Sequence, residues 1–79
     1  MTTFLLIKVI SPSAIPRVIS ELRRYNVSMV TPVSGEFDIV AEFPDYRYVK
    51  GIIREVRLIP NVVDVRVLQS VRIGGDIGA

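Results

Sequence analysis

The sequence holds 79 residues, with ten Lys and Arg against eight Asp and Glu, and with no Cys, His or Trp. That length suits one domain, and the missing Cys and His exclude disulfides, CxxC redox chemistry and the usual Zn, Fe–S and haem ligand sets. A net charge of +2 is far from a nucleic-acid-binding signature, whereas 49% hydrophobic residues is a heavy apolar load for so small a body.

The elements follow in chain order. Residues 4–10 (Phe-Leu-Leu-Ile-Lys-Val-Ile) are nearly all apolar, as a central strand covered on both faces would be. Ser11-Pro12-Ser13 breaks that strand; Ser13 is a candidate N-cap, with Pro16 in the first turn of the helix that follows. Ile15, Val18, Ile19 and Leu22 fall at i, i+3, i+4 and i+7, giving that helix one apolar face. A second strand is predicted over 27–34. Pro32 lacks the N–H that a ladder needs, so the strand belongs at a sheet edge.

Ser34-Gly35 makes a turn into a third strand, 36–43, which alternates. Phe37, Ile39, Ala41 and Phe43 are expected on one side, Glu36, Asp38, Val40 and Glu42 on the other. Asp45 is placed to cap a second helix with Val49, Ile52, Ile53 and Val56 inside, and Ile59-Pro60-Asn61 ends it. Gly51 within that helix costs roughly 1 kcal/mol relative to Ala. Residues 62–73 read as the last strand and 74–79 as a flexible tail, so 1–73 is taken as a single domain.

The order is β-α-β-β-α-β. The halves echo each other: Glu21-Leu22-Arg23 precedes Asn26-Val27, and Glu55-Val56-Arg57 precedes Asn61-Val62. Two right-handed β-α-β units interleave their strands as 4-1-3-2, a ferredoxin-like α+β sandwich with an antiparallel sheet. Strand 2 then lies at the edge, where Pro32 is tolerated. One sheet face packs on the helices. The other, expected to carry Lys8, Val30, Glu36, Asp38, Val40, Glu42, Asp64, Arg66 and Leu68, has no cover from this chain and suits a subunit interface.

The residues supply no catalytic constellation. There is no nucleophile–base pair, no GxSxG, GxGxxG or Walker sequence, and no Arg or Gly nest in the first β–α loop. Glu36, Asp38 and Glu42 read as salt-bridge partners for Lys8, Arg66 or a neighbouring subunit rather than as acid–base or Mg²⁺ groups. The same carboxylates argue against stacking single-stranded nucleic acid on that face. Arg47, Lys50, Arg54 and Arg57 form a basic stripe on the second helix, read as a solvated face partly neutralised by Asp45 and Glu55. No enzyme activity, cofactor, metal, membrane contact or direct nucleic-acid contact is expected. The N-terminus has no signal-peptide pattern and no apolar run reaches membrane-spanning length, so a cytoplasmic location is expected.

Val33-Ser34-Gly35-Glu36-Phe37-Asp38-Ile39 resembles the "(T/S)-G-E/D-(Y/F)-D" stretch of the Lrp/AsnC family effector-binding (RAM) domain, and Ile59-Pro60-Asn61-Val62 resembles that family's "I-P-G-V". The resemblance covers about residues 3–72, without the helix-turn-helix, as in stand-alone members. It implies a transcription-regulation module: dimers through the open sheet faces, rings of eight or ten chains, an amino acid or similar effector between dimers, and docking with a full-length regulator. Ser34, Gly35, Glu36 and Asp38 match the ligand-binding positions. Val65 and Val67 stand where members often carry Thr, and Gln69 and Ser70 are candidates to substitute. Two alternatives stand beside this reading. One is an assembly module without ligand. The other is an ACT-like amino-acid-binding domain, against which the Ser-Pro-Ser loop argues, because ACT sites place a Gly there.

Overall fold

The computed structural model describes residues 2–71. It contains β1 (Thr3–Val9), a 3₁₀ turn (Pro12–Ala14), α1 (Ile15–Leu22), β2 (Met29–Pro32), β3 (Ile39–Phe43), α2 (Tyr46–Arg57) and β4 (Val62–Gln69). The four strands form one antiparallel sheet in the order β2-β3-β1-β4, which is the expected ferredoxin-like arrangement. Pro32 lies on the edge strand, opposite Ile39. The last strand, expected over 62–73, ends at Gln69, with Ser70 and Val71 outside it; residues 72–73 and the tail at 74–79 lie outside the described residues.

Alternation sorts the two sheet faces. Leu5, Ile7 and Val9 of β1, Ile39, Ala41 and Phe43 of β3 and Val65 of β4 are buried toward the helices. They meet Val18 and Leu22 of α1 and Val49, Ile52 and Val56 of α2 in one core. Each helix contributes one apolar stripe, as its spacing predicts. Asp45 caps α2 as expected, accepting from Arg47 N at 2.9 Å. α1 starts differently. Pro12–Ala14 form the 3₁₀ turn, so Ala14 is the cap residue of α1 and Ser13 does not cap it; the Ser13 hydroxyl instead meets that of Ser11 at 2.9 Å.

Two backbone details carry predictions. Asn61 follows the α2–β4 turn with φ 76°, a left-handed conformation that Asn tolerates better than other non-glycine residues. This is where the I-P-G-V pattern has Gly, so Asn61 meets the same demand. Asn61→Gly should be neutral, and Asn61→Val should cost about 1–2 kcal/mol in a denaturant titration.

Thr3, 0% exposed on the helix side of β1, has a hydroxyl with no hydrogen-bond partner among the described residues. Thr3→Val removes that unpaired group at nearly constant shape. It should raise stability by about 1 kcal/mol, read as a higher denaturant midpoint at unchanged m.

Candidate ligand site and open sheet face

Register defines the uncovered face. Leu6 lies between Val40 and Arg66, Phe4 between Glu42 and Leu68, and Lys8 opposite Asp64. Met29 and Thr31 continue it on β2, opposite Glu42 and Val40. Val30 is opposite Ala41 and packs against the core, so it is not on the open face as expected. Phe4, Leu6, Val40 and Leu68 make an apolar centre, with Leu68 53% exposed. Lys8, Asp64 and Arg66 make a charged margin at the end near the β2–β3 turn. The anatomy, apolar within and polar at the rim, is that of a protein interface.

The β2–β3 connection, residues 33–38, is longer than expected because β3 begins at Ile39 rather than Glu36. Gly35 sits at its tip with φ 122°, a conformation closed to side-chain-bearing residues. Val33 N donates to Asp38 O and Asp38 N to Ile7 O, each at 2.9 Å. The Asp38 carboxylate accepts from Val9 N at 2.9 Å, tying the turn to β1 where β1 loses its regular register with β4. Phe37 does not follow Ile39 into the core. Its ring lies 6.0 Å from the Arg66 guanidinium carbon, a cation–π contact on the open side.

The expected salt bridges to Glu36, Asp38 and Glu42 are not formed within this chain among the described residues. Lys8 Nζ donates to the Glu36 carbonyl at 3.3 Å, and Arg66 pairs with Asp64 of its own strand at 3.3 Å. Asp38 is turned to a backbone N–H and Glu42 lies on the open face, so the three carboxylates do not converge. No cluster of three metal-ligating side chains occurs among the described residues.

Ser34, Gly35, Glu36 and Asp38 are therefore brought together, and Gln69 and Ser70 are not. Gln69 lies opposite Thr3, and Ser70 exchanges hydrogen bonds with Thr2, 3.0 Å from Thr2 N to its hydroxyl. Asp38 binds Ile7, five residues along β1 from Thr2, which separates the two groups by about 17 Å at strand rise. Val65 is 2% exposed in the core, and Val67 packs against that core from the same side of β4. Positions 65 and 67 thus both face inward. A single chain does not assemble the expected set into one site.

Two hollows lie elsewhere. A groove of about 400 Å³ is lined by Arg17, Glu21, Ile59, Pro60 and Asn61. A smaller one, about 170 Å³, lies between Arg57 and residues 62–65, of which only Val65 belongs to the expected set. The Tyr25 phenol, whose pKa is raised by burial first and then by the neighbouring Glu55 carboxylate, donates to Glu55 at 3.5 Å on the helix side of the molecule.

Comparison with known proteins adds to this geometry. No family model matches the sequence, and no curated protein matches it. Among solved structures, E. coli AsnC superposes with a TM-score of 0.77 at 14% identity, over 92% of this chain and 52% of its own. PH0061 superposes with a TM-score of 0.70 at 30% identity, over 92% of this chain and 54% of its own. The chain has the fold of an Lrp/AsnC-like domain of RAM type.

The chain spans about half the length of both proteins. It matches almost the whole of TTHA0845 from Thermus thermophilus, over 91% of this chain and 94% of that one, at 20% identity and a TM-score of 0.77. The fold thus occurs both within longer chains and in one of similar size. No described helix is long and apolar enough to cross a membrane.

Proposed function

We propose that this chain is a regulatory, non-enzymatic domain that assembles through its open sheet face and senses an amino acid or similar small metabolite at inter-subunit sites. The observation that supports it most directly is the uncovered face itself. Phe4, Leu6, Val40 and Leu68 hold apolar surface away from the core on a domain too small to leave it unpaired cheaply. The turn supplies the ligand side: Gly35 bears no side chain to obstruct close approach, and Glu36 is exposed with no ion-pair partner among the described residues. Gln69 and Ser70 lie too far away within one chain, so on this reading a second subunit brings them to the turn. Docking onto a longer regulator of the same fold fits the half-length match to AsnC.

A second reading is favoured by a specific observation. Asp38, the expected partner of an ammonium group, already accepts a hydrogen bond from Val9 N, and Val65 faces the core. An assembly domain without ligand would need nothing more. Light scattering with and without a pool of amino acids separates the two. A multi-chain mass that changes with ligand supports the sensor, a ligand-insensitive oligomer supports the scaffold, and a single chain at 8.8 kDa overturns both.

A further inference from the structure

Folding separates the charges that the sequence mixes. The turn and the open face carry Glu36, Asp38, Glu42 and Asp64 against Lys8 and Arg66. The outward side of α2 carries the opposite sign. Arg47, Lys50, Arg54 and Arg57 are all exposed and fall within an arc of about 80° at 3.6 residues per turn, spread over about 15 Å of helix. Neither acid expected to neutralise this row lies between its members. Asp45 is at the cap, 3.7 Å from Arg47 at the N-terminal end, and Glu55 lies on another flank with Tyr25. Lys50 and Arg54 have no hydrogen-bond or ion-pair partner among the described residues, so a net charge of +2 conceals a wholly basic ridge.

Gly51 lies about 40° around the helix from both Arg47 and Glu55, at the edge of the basic row. A helical glycine costs about 1 kcal/mol relative to Ala. Packing within the chain does not call for it, because a Cβ there would meet nothing within 4 Å. Its bare backbone leaves the edge of the row next to Arg47 and Arg54 open to close approach from outside the chain. We propose that the α2 ridge is a docking surface for the phosphate backbone of nucleic acid, bound without regard to sequence. Lys50 and Arg54 are free to meet successive anionic groups, flanked by Arg47, which pairs with Asp45, and by Arg57, which also donates to the Val65 carbonyl at 3.3 Å. A second copy's α2 is a poor occupant, since a two-fold axis would set the row against itself. The proposal does not depend on ligand sensing or on the open face, which lies on the other side of the sheet.

The test is fluorescence anisotropy of a labelled 20-base-pair duplex titrated with the intact protein from 20 to 200 mM salt. The result expected is saturable binding that weakens with salt at a log–log slope near −0.9 per phosphate neutralised. The double variant Lys50→Glu/Arg54→Glu should lose on the order of 10²-fold in affinity at 50 mM salt, with its circular dichroism unchanged. Gly51→Gln should bind the duplex more weakly while melting higher than the native chain. No binding at 20 mM salt, or equal loss of affinity when Arg66→Glu replaces the ridge variant, overturns the proposal. So does equal affinity for polyglutamate, which would mark the ridge as a surface for acidic proteins.

Discussion

Leu6→Asp should reduce the assembled protein to single chains, with a native mass of 8.8 kDa by light scattering and an unchanged far-ultraviolet spectrum. Leu6 is on a central strand, between Val40 and Arg66, in the middle of the uncovered face. In the proposed assembly a carboxylate there is removed from water without a cation aimed at it. Its neighbours across the strands are Val40, which is apolar, and Arg66, which is already paired with Asp64. Burying such a charge costs several kcal/mol and the two-fold operation doubles the insult, so the dissociation constant should rise by at least about 10²-fold.

The same substitution does little to the isolated fold. Lys8, Glu42, Asp64 and Arg66 already share that face, so a further charge in water is tolerated by the sheet. The separation matters because a change in the core would also abolish assembly, by unfolding. An oligomer of unchanged mass in Leu6→Asp would remove the open face from the interface and with it the proposed inter-subunit site. Leu68→Ala, nearer the margin, should weaken association by a smaller factor in sedimentation velocity.

Topology was legible because independent signals converged on one sheet: the continuous apolar run of β1, the proline that only an edge strand accepts, and the echo between the two β-α-β halves. What was not legible was phase and local closure. β2 is four residues long and holds Val30, Thr31 and Pro32, a run in which alternation identifies no inward side. Val30 packs on the core face and not on the open one. The third strand was read three residues too long because Glu36 to Phe43 alternates cleanly, while tertiary hydrogen bonds end the ladder at Ile39. Asp38 spends its carboxylate on Val9 N and its main chain on Ile7 and Val33. That diversion also releases Phe37 toward Arg66. In α1 the Ser-Pro-Ser segment closes as a 3₁₀ turn, so the serine hydroxyls meet each other before the helix begins.

The candidate site shows the same limit in sharper form. Sequence order places Val65, Val67, Gln69 and Ser70 on one strand, and only the register shows that two face the core and two lie at the far end from Gly35. Nothing in the local pattern of β4 reports its pairing partner, because register is set between strands.

Asp38 is the residue on which the structural and ligand readings collide, and Asp38→Ala should have the largest effect on stability of any change in the turn. It removes a charge-assisted hydrogen bond and leaves the part-buried Val9 N–H without its acceptor. The expected cost is about 2–3 kcal/mol, or a fall in Tm of roughly 10–20 °C for a domain of this size. Asp38→Asn keeps an oxygen at the same place and should recover most of that loss. The pair therefore separates the two roles. If an amino acid binds and its ammonium needs the Asp38 charge, titration calorimetry should show binding lost in both variants although only one is destabilised. If Asp38 acts by holding the turn, binding should follow stability, lost in Asp38→Ala and kept in Asp38→Asn, and Glu36 becomes the carboxylate that faces the ligand. An unchanged Tm in Asp38→Ala would mean that the hydrogen bond to Val9 does not anchor the turn, and the main-chain bonds of Asp38 to Ile7 and Val33 would hold it alone.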